Sequence, residues 1–315
     1  MDSTAIRMDH LTRDFDGVRA VDHVSLDVPT GRIFGFLGPN AAGKTTTIRL
    51  LLGLLEPSSG RAEVLGFDTR IDSGAIRQRC GALLEHTGLY ERLTAEDNLE
   101  YHARIYRIDA AERRRRIEQL LKGIGLWDRR RENVGKWSRG MKQKLAVARA
   151  LLHRPELIFL DEPTAGLDPI AAAALREDLM KLASGEGVTV FLTTHNLAEA
   201  EKICSLVGVI RRGALLAVGS PAELRNRSGG QTAELVGRGA SDALLSDLRR
   251  QPGVRGVEHR DGRLRIDLEP GAELAPLVTR AVAAGMQVEE ARRGLESLEE
   301  AFLALVDEAD EEERG

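Results

Sequence analysis

An α/β fold carrying a helical insertion, followed by a small α+β domain, is predicted by three features of the sequence. Short apolar segments at strand spacing alternate with segments at helical spacing, residues 92–152 read as helical almost throughout, and the composition changes after residue 226. The 315 residues, at roughly 150 per domain, agree with two domains. Ile6 and Met8, then Val24, Leu26 and Val28, recur at every second position between turn signals at Asp16-Gly17 and Pro29-Thr30-Gly31, which is strand spacing. Ile33 to Leu37 is an apolar run ending at Gly38-Pro39-Asn40, after which Ile48, Leu51, Leu52 and Leu55 fall at helical intervals. Strand, loop, helix is the result. Helical patterns then cover Asp97 to Tyr106, Ala110 to Lys122 and Lys142 to Leu152. Leu157 to Leu160 and Val188 to Leu192 are short and apolar, with a helical segment from Ile170 to Ala183 between them, so parallel strands joined by a crossover are expected. Residues 1–225 form the first domain on this reading, with a helical subdomain at about 92–152.

Arg227-Ser228-Gly229-Gly230 reads as a linker, and residues 226–315 as the second domain. Strands at Glu234 to Val236, Leu264 to Leu268 and Val288 alternate with helices near Asp242 to Arg249 and Leu274 to Ala284, a β-α-β-β-α-β pattern. A terminal helix from Leu295 to Val306 completes it, and the acidic tail Asp307 to Gly315 is expected to fray in solvent.

Composition narrows the function classes. With 42% hydrophobic and 30% charged residues the chain is of the ordinary globular kind. Lys+Arg 45 against Asp+Glu 49 leaves a net charge of −4, so no global basic field draws it to nucleic acid, and no nucleic-acid partner is expected. No apolar run approaches the ~18 to 20 residues of a membrane helix, and the opening MDSTAIRMDH lacks the features of a signal peptide. Cys80 and Cys204 are too few and too far apart for a disulfide framework or a metal knuckle, and read as buried thiols of a reducing cytosol.

Two anchors carry chemistry. Gly38-Pro39-Asn40-Ala41-Ala42-Gly43-Lys44-Thr45 fits G-x-x-x-x-G-K-[ST] between an apolar strand and an amphipathic helix, with Thr46 next in that helix. Backbone amides there curl around a phosphate, and the helix N-terminus adds about half a positive charge. A triphosphate is the matching anion: Lys44 bridges its β and γ phosphates while the Thr45 hydroxyl holds Mg²⁺. The second anchor is Leu157-Ile158-Phe159-Leu160-Asp161-Glu162, where a strand delivers two carboxylates at its C-terminal end, the edge at which open α/β sheets bind ligands. Asp161 is expected to reach Mg²⁺, and Glu162 to accept a proton from the water that attacks the γ phosphate.

Between the anchors stands Lys136-Trp137-Ser138-Arg139-Gly140-Met141-Lys142-Gln143-Lys144-Leu145, and with it the chain, from about residue 4 to 225, resembles the ATP-binding subunits of ATP-binding cassette (ABC) transporters. Trp137 to Met141 takes the place of that family's LSGGQ signature, Ala165-Gly166-Leu167-Asp168 of its D-loop, and His195 in Thr193-Thr194-His195 of its switch histidine. The resemblance implies a P-loop NTPase cassette that binds ATP with Mg²⁺ and hydrolyses it. It also implies a head-to-tail homodimer in which the signature of each copy, with Ser138 and Gly140, completes the partner's site, and it puts Arg139 and Asp168 among the candidate nucleotide-binding residues. Ser138 offers a hydroxyl N-cap and Gly140 lets amides approach an anion. His195 is implied to hydrogen-bond the γ phosphate, and Phe15, ahead of Asp16-Gly17, to stack on adenine. The S-x-G-M-K-Q-x-L form and the ending Ser297-Leu298-Glu299-Glu300-Ala301-Phe302 look most like the branch serving two-component (ABC-2 type) exporters. A separate membrane permease and a place at the cytoplasmic face of the membrane follow from that likeness.

Three departures from the family pattern stand out. Ala41 replaces a glycine, so a positive φ there carries strain of ~1 to 2 kcal/mol or shifts the loop slightly. Glu85 replaces the glutamine that normally touches Mg²⁺ and faces the membrane partner, adding negative charge beside the metal. Arg139 replaces the signature's first glycine and is either a cation near the partner's phosphate or a solvated side chain. The aromatic and charged stretch from Gly88 to Tyr106 is either a docking surface for a partner helix or a helical core with Tyr90, Tyr101 and Tyr106 partly buried. Arg113 to Arg116 and Arg129 to Arg131 are expected to be solvated faces, or else contacts for lipid headgroups. The rival functions are a soluble ABC-class ATPase acting on nucleic acid or ribosomes, which usually carries long coiled coils or two cassettes, and a nucleotide sensor whose output is the C-terminal domain.

Overall fold

Strands β1 (Thr4–Phe15) and β2 (Val18–Pro29) pair antiparallel around Asp16 and Gly17, which take φ of 40° and 89°, the left-handed conformation that a tight hairpin turn demands. β3 (Ile33–Leu37) leads through the glycine-rich loop into α1 (Lys44–Leu51). β4 (Ser59–Val64) and β5 (Phe67–Asp68) complete a first sheet of order β2-β1-β4-β5. α2 (Ser73–Arg79) precedes β6 (Cys80–Leu83), and the helical region follows as α3 (Ala95–Ile105), α4 (Ala110–Gly123) and α5 (Arg139–Ala150). β7 (Leu157–Asp161), α6 (Pro169–Glu186), β8 (Thr189–Thr194), α7 (Leu197–Ile203), β9 (Leu206–Arg211) and β10 (Ala214–Gly219) form the remaining alternation. The structure, a computed structural model, describes residues 3–227, 231–260, 262–269, 271–295 and 297–312.

The second sheet has the order β10-β9-β3-β8-β7-β6, and β9, β3, β8, β7 and β6 pair in parallel. Every residue of β3, β7 and β8 is buried, as expected of parallel strands covered on both faces. Phe191 is the hub of this core, with the Phe34 ring 5.3 Å away and the Phe36 and Phe159 rings each at 5.6 Å. Register decides where the functional loops emerge. Leu37 lies opposite Thr194, and Asp161 opposite Thr193, so the glycine-rich loop, Asp161-Glu162 and His195 leave the sheet at one edge.

The helical region holds the expected helices with different starts. Thr94 caps α3 by accepting from the Asp97 amide, so the helix begins two residues before Asp97. Ser138 caps α5 through the Met141 amide, three residues before the expected Lys142. Arg116 corrects the reading of a solvated basic face: it is buried and donates to the Leu151 carbonyl at 3.0 Å. Arg113 also turns inward, onto Glu100 at 3.1 Å. Both cysteines are free and buried, and burial pushes each thiol up to about 12.

The chain divides into two compact units, Met1–Val218 and Gly219–Gly315. The second comprises α8 (Pro221–Arg227), β11 (Gln231–Arg238), α9 (Asp242–Leu248), β12 (Val254–Arg260), β13 (Arg263–Leu268), α10 (Leu274–Ala283), β14 (Gln287–Leu295) and α11 (Leu298–Glu312). From β11 to β14 the order is the expected β-α-β-β-α-β, in an antiparallel sheet of order β12-β13-β11-β14 over a core of Leu235, Leu264, Ile266 and Leu277. Ser228, Gly229 and Gly230 of the expected linker lie outside the described residues. Leu295 belongs to β14 rather than to the last helix, which runs on to Glu312 instead of fraying after Val306. Among the described residues no helix is long and apolar enough to cross a membrane.

Candidate functional site

The loop between β3 and α1 is held tightly by its neighbours. A Cβ on Gly38 would stand 2.3 Å from the Ile210 carbonyl oxygen, and one on Gly43, at φ 104°, 2.3 Å from that of Ala20. Ala41 does adopt positive φ, 63°, so the strain expected of a non-glycine residue, ~1 to 2 kcal/mol, is carried here. Among the described residues the amides of Gly43, Lys44, Thr45 and Thr46 have no hydrogen-bond acceptor. The first amides of a helix have no acceptor within it, and these four, on residues that all line one cavity, invite an anion.

That cavity, about 460 Å³, is lined by Pro39 to Thr46 together with Ala20, Arg49, Glu85, Asp161 and Glu162. The Lys44 side chain is 6% exposed; its ammonium donates to the carbonyls of Gly38 at 2.6 Å and Pro39 at 3.0 Å and lies 3.1 Å from Glu162 Oε1. The Glu162 contact is an ion pair without hydrogen-bond geometry, and Glu162 Oε1 is buried with no hydrogen-bond partner. Asp161 is buried between two hydroxyls, accepting from Thr45 Oγ1 at 2.7 Å and from Thr193 Oγ1 at 2.5 Å. His195 Nδ1 lies 2.9 Å from Glu162 Oε2, although the imidazole is largely exposed. Glu162 itself has φ 48°, a left-handed backbone that costs a non-glycine residue about 1 kcal/mol or more. A second cavity, about 470 Å³, borders Glu162, His195, Thr164 and the Ala165-Gly166-Leu167 turn.

Two segments over 100 residues apart in sequence thus converge at one edge: Gly38 to Thr46 with Asp161, Glu162 and His195. Glu85 joins them, but sequence reasoning missed its partner, Arg49, whose guanidinium lies 3.3 Å from the Glu85 carboxylate. Arg49 is on α1, one turn past Thr45, but no local signal points it at Glu85, 36 residues further on. Ser138, Arg139, Gly140 and Asp168 do not line the loop cavity. Ser138 and Asp168 act as N-caps, Asp168 accepting from the amides of Ile170 at 3.0 Å and Ala171 at 2.9 Å. Arg139 is exposed, as a solvated side chain would be, with its guanidinium against Gly166, where an added Cβ would come within 2.4 Å of Nη1. Phe15 also stands outside the cavity lining, at the end of β1, with the Arg13 guanidinium 4.4 Å above its ring.

The cavity suits a phosphate chain carrying a cation. Free amides and Lys44 match the anion, while the Thr45 hydroxyl and the Asp161 carboxylate are oxygen ligands of the kind Mg²⁺ takes. Among the described residues no group of three or more His, Cys, Asp and Glu side chains could hold a metal unaided. A cation here would need oxygens beyond those two side chains.

Comparison with known proteins gives the family. Residues 21–165 match the family described as ABC transporter, and residues 219–306 match the C-terminal domain of DrrA1-3-like ATP-binding proteins. The daunorubicin resistance ATP-binding protein DrrA3 of Streptomyces coeruleorubidus is 36% identical over 97% of this chain and 96% of its own. The bacitracin transport ATP-binding protein BcrA of Bacillus licheniformis is 44% identical over 68% of this chain and 69% of its own. Among solved structures, an ATP-binding subunit of an ABC transporter superposes with a TM-score of 0.66 at 32% identity, covering 72% of this chain and 94% of the other. The ABC cassette MJ0796, a dimer in a post-hydrolysis state with ADP and Pi, gives 0.62 at 25% identity, covering 68% and 98%. With a phosphate loop, paired acids and a histidine at one sheet edge, and a relative matched end to end, the chain belongs to the ABC transporter family as one of its ATP-binding subunits.

Proposed function

We propose that the chain is the motor of a two-component exporter. ATP closes two copies head to tail, hydrolysis reopens them, and a separate ABC-2 type permease at the cytoplasmic face of the membrane takes up the motion. The observation that carries the reading is the buried Lys44 ammonium, beside four amides without acceptors and in ion-pair contact with Glu162 Oε1. Glu162 is engaged with Lys44 on one side and His195 on the other. A γ phosphate entering the loop competes for Lys44 and frees Glu162 to take the proton of an attacking water, while His195 holds the phosphate. Thr45 and Asp161 would hold Mg²⁺, with Glu85 beside them, and the cation would supply charge neutralisation to the phosphates. Ser138, Arg139, Gly140 and Asp168 complete the site of the second copy, and Phe15 contacts adenine once Arg13 swings away.

Resistance to or transport of antibiotics in the printed names of DrrA3 and BcrA supports export of a drug-like compound. The half-exposed pair Tyr90 and Tyr101, with ring centroids 4.9 Å apart, supports a permease contact close to Glu85. The general base typically contributes ~10² to 10⁴ in rate. Glu162→Gln is therefore expected to lose turnover by that factor while still binding ATP, and to run as a dimer with Mg²⁺-ATP in light scattering. Turnover at the parental rate in that variant removes Glu162 from its role.

A further inference from the structure

Thr164 stands two residues after Glu162, and its hydroxyl donates to Glu199 Oε2 at 2.5 Å. The other oxygen of the same carboxylate, Oε1, accepts from the Arg176 guanidinium at 2.6 Å. The Arg176 and Glu199 side chains are only 17% and 15% exposed, so this is a mostly desolvated, charge-assisted arrangement rather than a surface pair. Glu199 lies in the first turn of α7, whose N-cap, Asn196, immediately follows His195. One side chain thus ties together three segments: the one that carries Glu162, the middle of α6, and the helix that begins just past the histidine.

The strained backbone of Glu162 gives this tie its significance. A left-handed φ of 48° in a glutamate persists only where the surroundings hold it. The Ala165 amide closes the turn onto the Glu162 carbonyl at 3.0 Å, and three further holds tie it to other segments. The Glu162 amide donates to the Thr193 hydroxyl at 3.1 Å and to its carbonyl at 3.2 Å. The Pro163 carbonyl accepts from Gln143 Nε2, on α5, at 2.8 Å. The Thr164 hydroxyl is fixed by Glu199, and without it the chain past Pro163 has one anchor fewer against relaxation.

We propose that Glu199 is a positioning residue for ATP turnover, holding the Glu162 carboxylate and the His195 segment in mutual register through Thr164 and Arg176 without touching nucleotide. The proposal rests on the reading of Glu162 as the general base. Displacing a reacting group by about 1 Å can cost on the order of 10²-fold in rate, whereas ATP itself is gripped by the loop and Lys44, which Glu199 does not contact.

The test is steady-state ATPase activity of the full chain, with active sites counted and ATP affinity read by calorimetric titration of ATP in EDTA, where no turnover heat intrudes. Thr164→Val, which keeps shape and removes the hydroxyl, and Glu199→Gln are each expected to lower kcat by roughly tenfold or more, with ATP affinity within about twofold of the parent. Thr164→Ser, which restores the hydroxyl, is expected to recover kcat to within about threefold, and the Thr164→Val/Glu199→Gln double variant to fall no further than the worse single one. Unchanged kcat in both single variants overturns the proposal. So does a loss of ATP affinity that matches the loss of kcat, since a merely structural role would produce it. An inactive Glu162→Gln beside a fully active Thr164→Val sinks the positioning role alone, whereas an active Glu162→Gln sinks the general-base reading and this proposal with it.

Discussion

Glu85 brings a second carboxylate near Asp161, and Arg49 alters its effect. The ion pair at 3.3 Å is half exposed on both sides, so it is worth at most about 1 kcal/mol and leaves most of the carboxylate's field in the cavity. That field favours Mg²⁺ and opposes the γ phosphate. Glu85→Gln is accordingly expected to raise the Mg²⁺ concentration for half-maximal ATPase activity a few-fold, and superimposable Mg²⁺ titrations of the two proteins would refute the idea. Residues of this scale were unevenly legible. Gly38 to Thr45 and Asp161-Glu162 declare themselves because local spacing alone makes a phosphate cradle and a strand-end acid pair. Arg49 on Glu85, Gln143 on Pro163 and Glu199 on Thr164 do not, because each joins segments 20 or more residues apart whose proximity is decided by sheet order and register. Arg139 shows the same limit: its type suggested a phosphate or solvent, and only the folded chain brings it onto Gly166.

Helix ends were more legible than single contacts, since a cap is a local event. Ser138 and Asp168 start α5 and α6 through their own side chains, as their residue types favour. Thr94 does the same for α3 and was overlooked because the apolar periodicity becomes visible only further along the helix. This helix also carries a half-buried titratable group. Burial first, and the nearby Arg149 guanidinium second, hold the His102 imidazole down to about 4, against an ordinary value of 6.5. Its Nε2 is buried without a hydrogen-bond partner. The unfolded chain takes up the proton before the folded one does, so stability falls as the pH drops from about 6.5 towards about 4, and the loss is complete only below the folded value. His153 shifts the same way, lowered chiefly by burial where its ring stacks 3.9 Å from that of Tyr106. Replacing His102 by Leu is expected to flatten the decline of the urea midpoint between pH 6.5 and pH 4 without removing it, because His153 still titrates. A variant with the parental slope would show that His102 is not held neutral in the folded state.

At the scale of the whole molecule the two units differ in what they hold. Every group that lines the phosphate cavity belongs to Met1–Val218, whereas Gly219–Gly315 has its own core of Leu235, Leu244, Leu248, Leu264, Ile266 and Leu268, each 1% exposed or less. A ligand that binds only the folded form of one unit stabilises that unit by about 2.7 kcal/mol at a hundred times its dissociation constant, and leaves an energetically independent unit where it was. For a unit of about 200 residues such a gain moves the melting midpoint by roughly 5 to 10 °C. Calorimetry of Glu162→Gln, chosen so that ATP survives the scan, is therefore expected to show two transitions, of which Mg²⁺-ATP raises only the larger. The Lys44→Ala variant is expected to lose that shift while keeping both transitions, since Lys44 contributes the buried ammonium of the cavity. A single transition, or two that rise together with ATP, would mean that the units unfold as one and that the C-terminal unit shares in the binding energy.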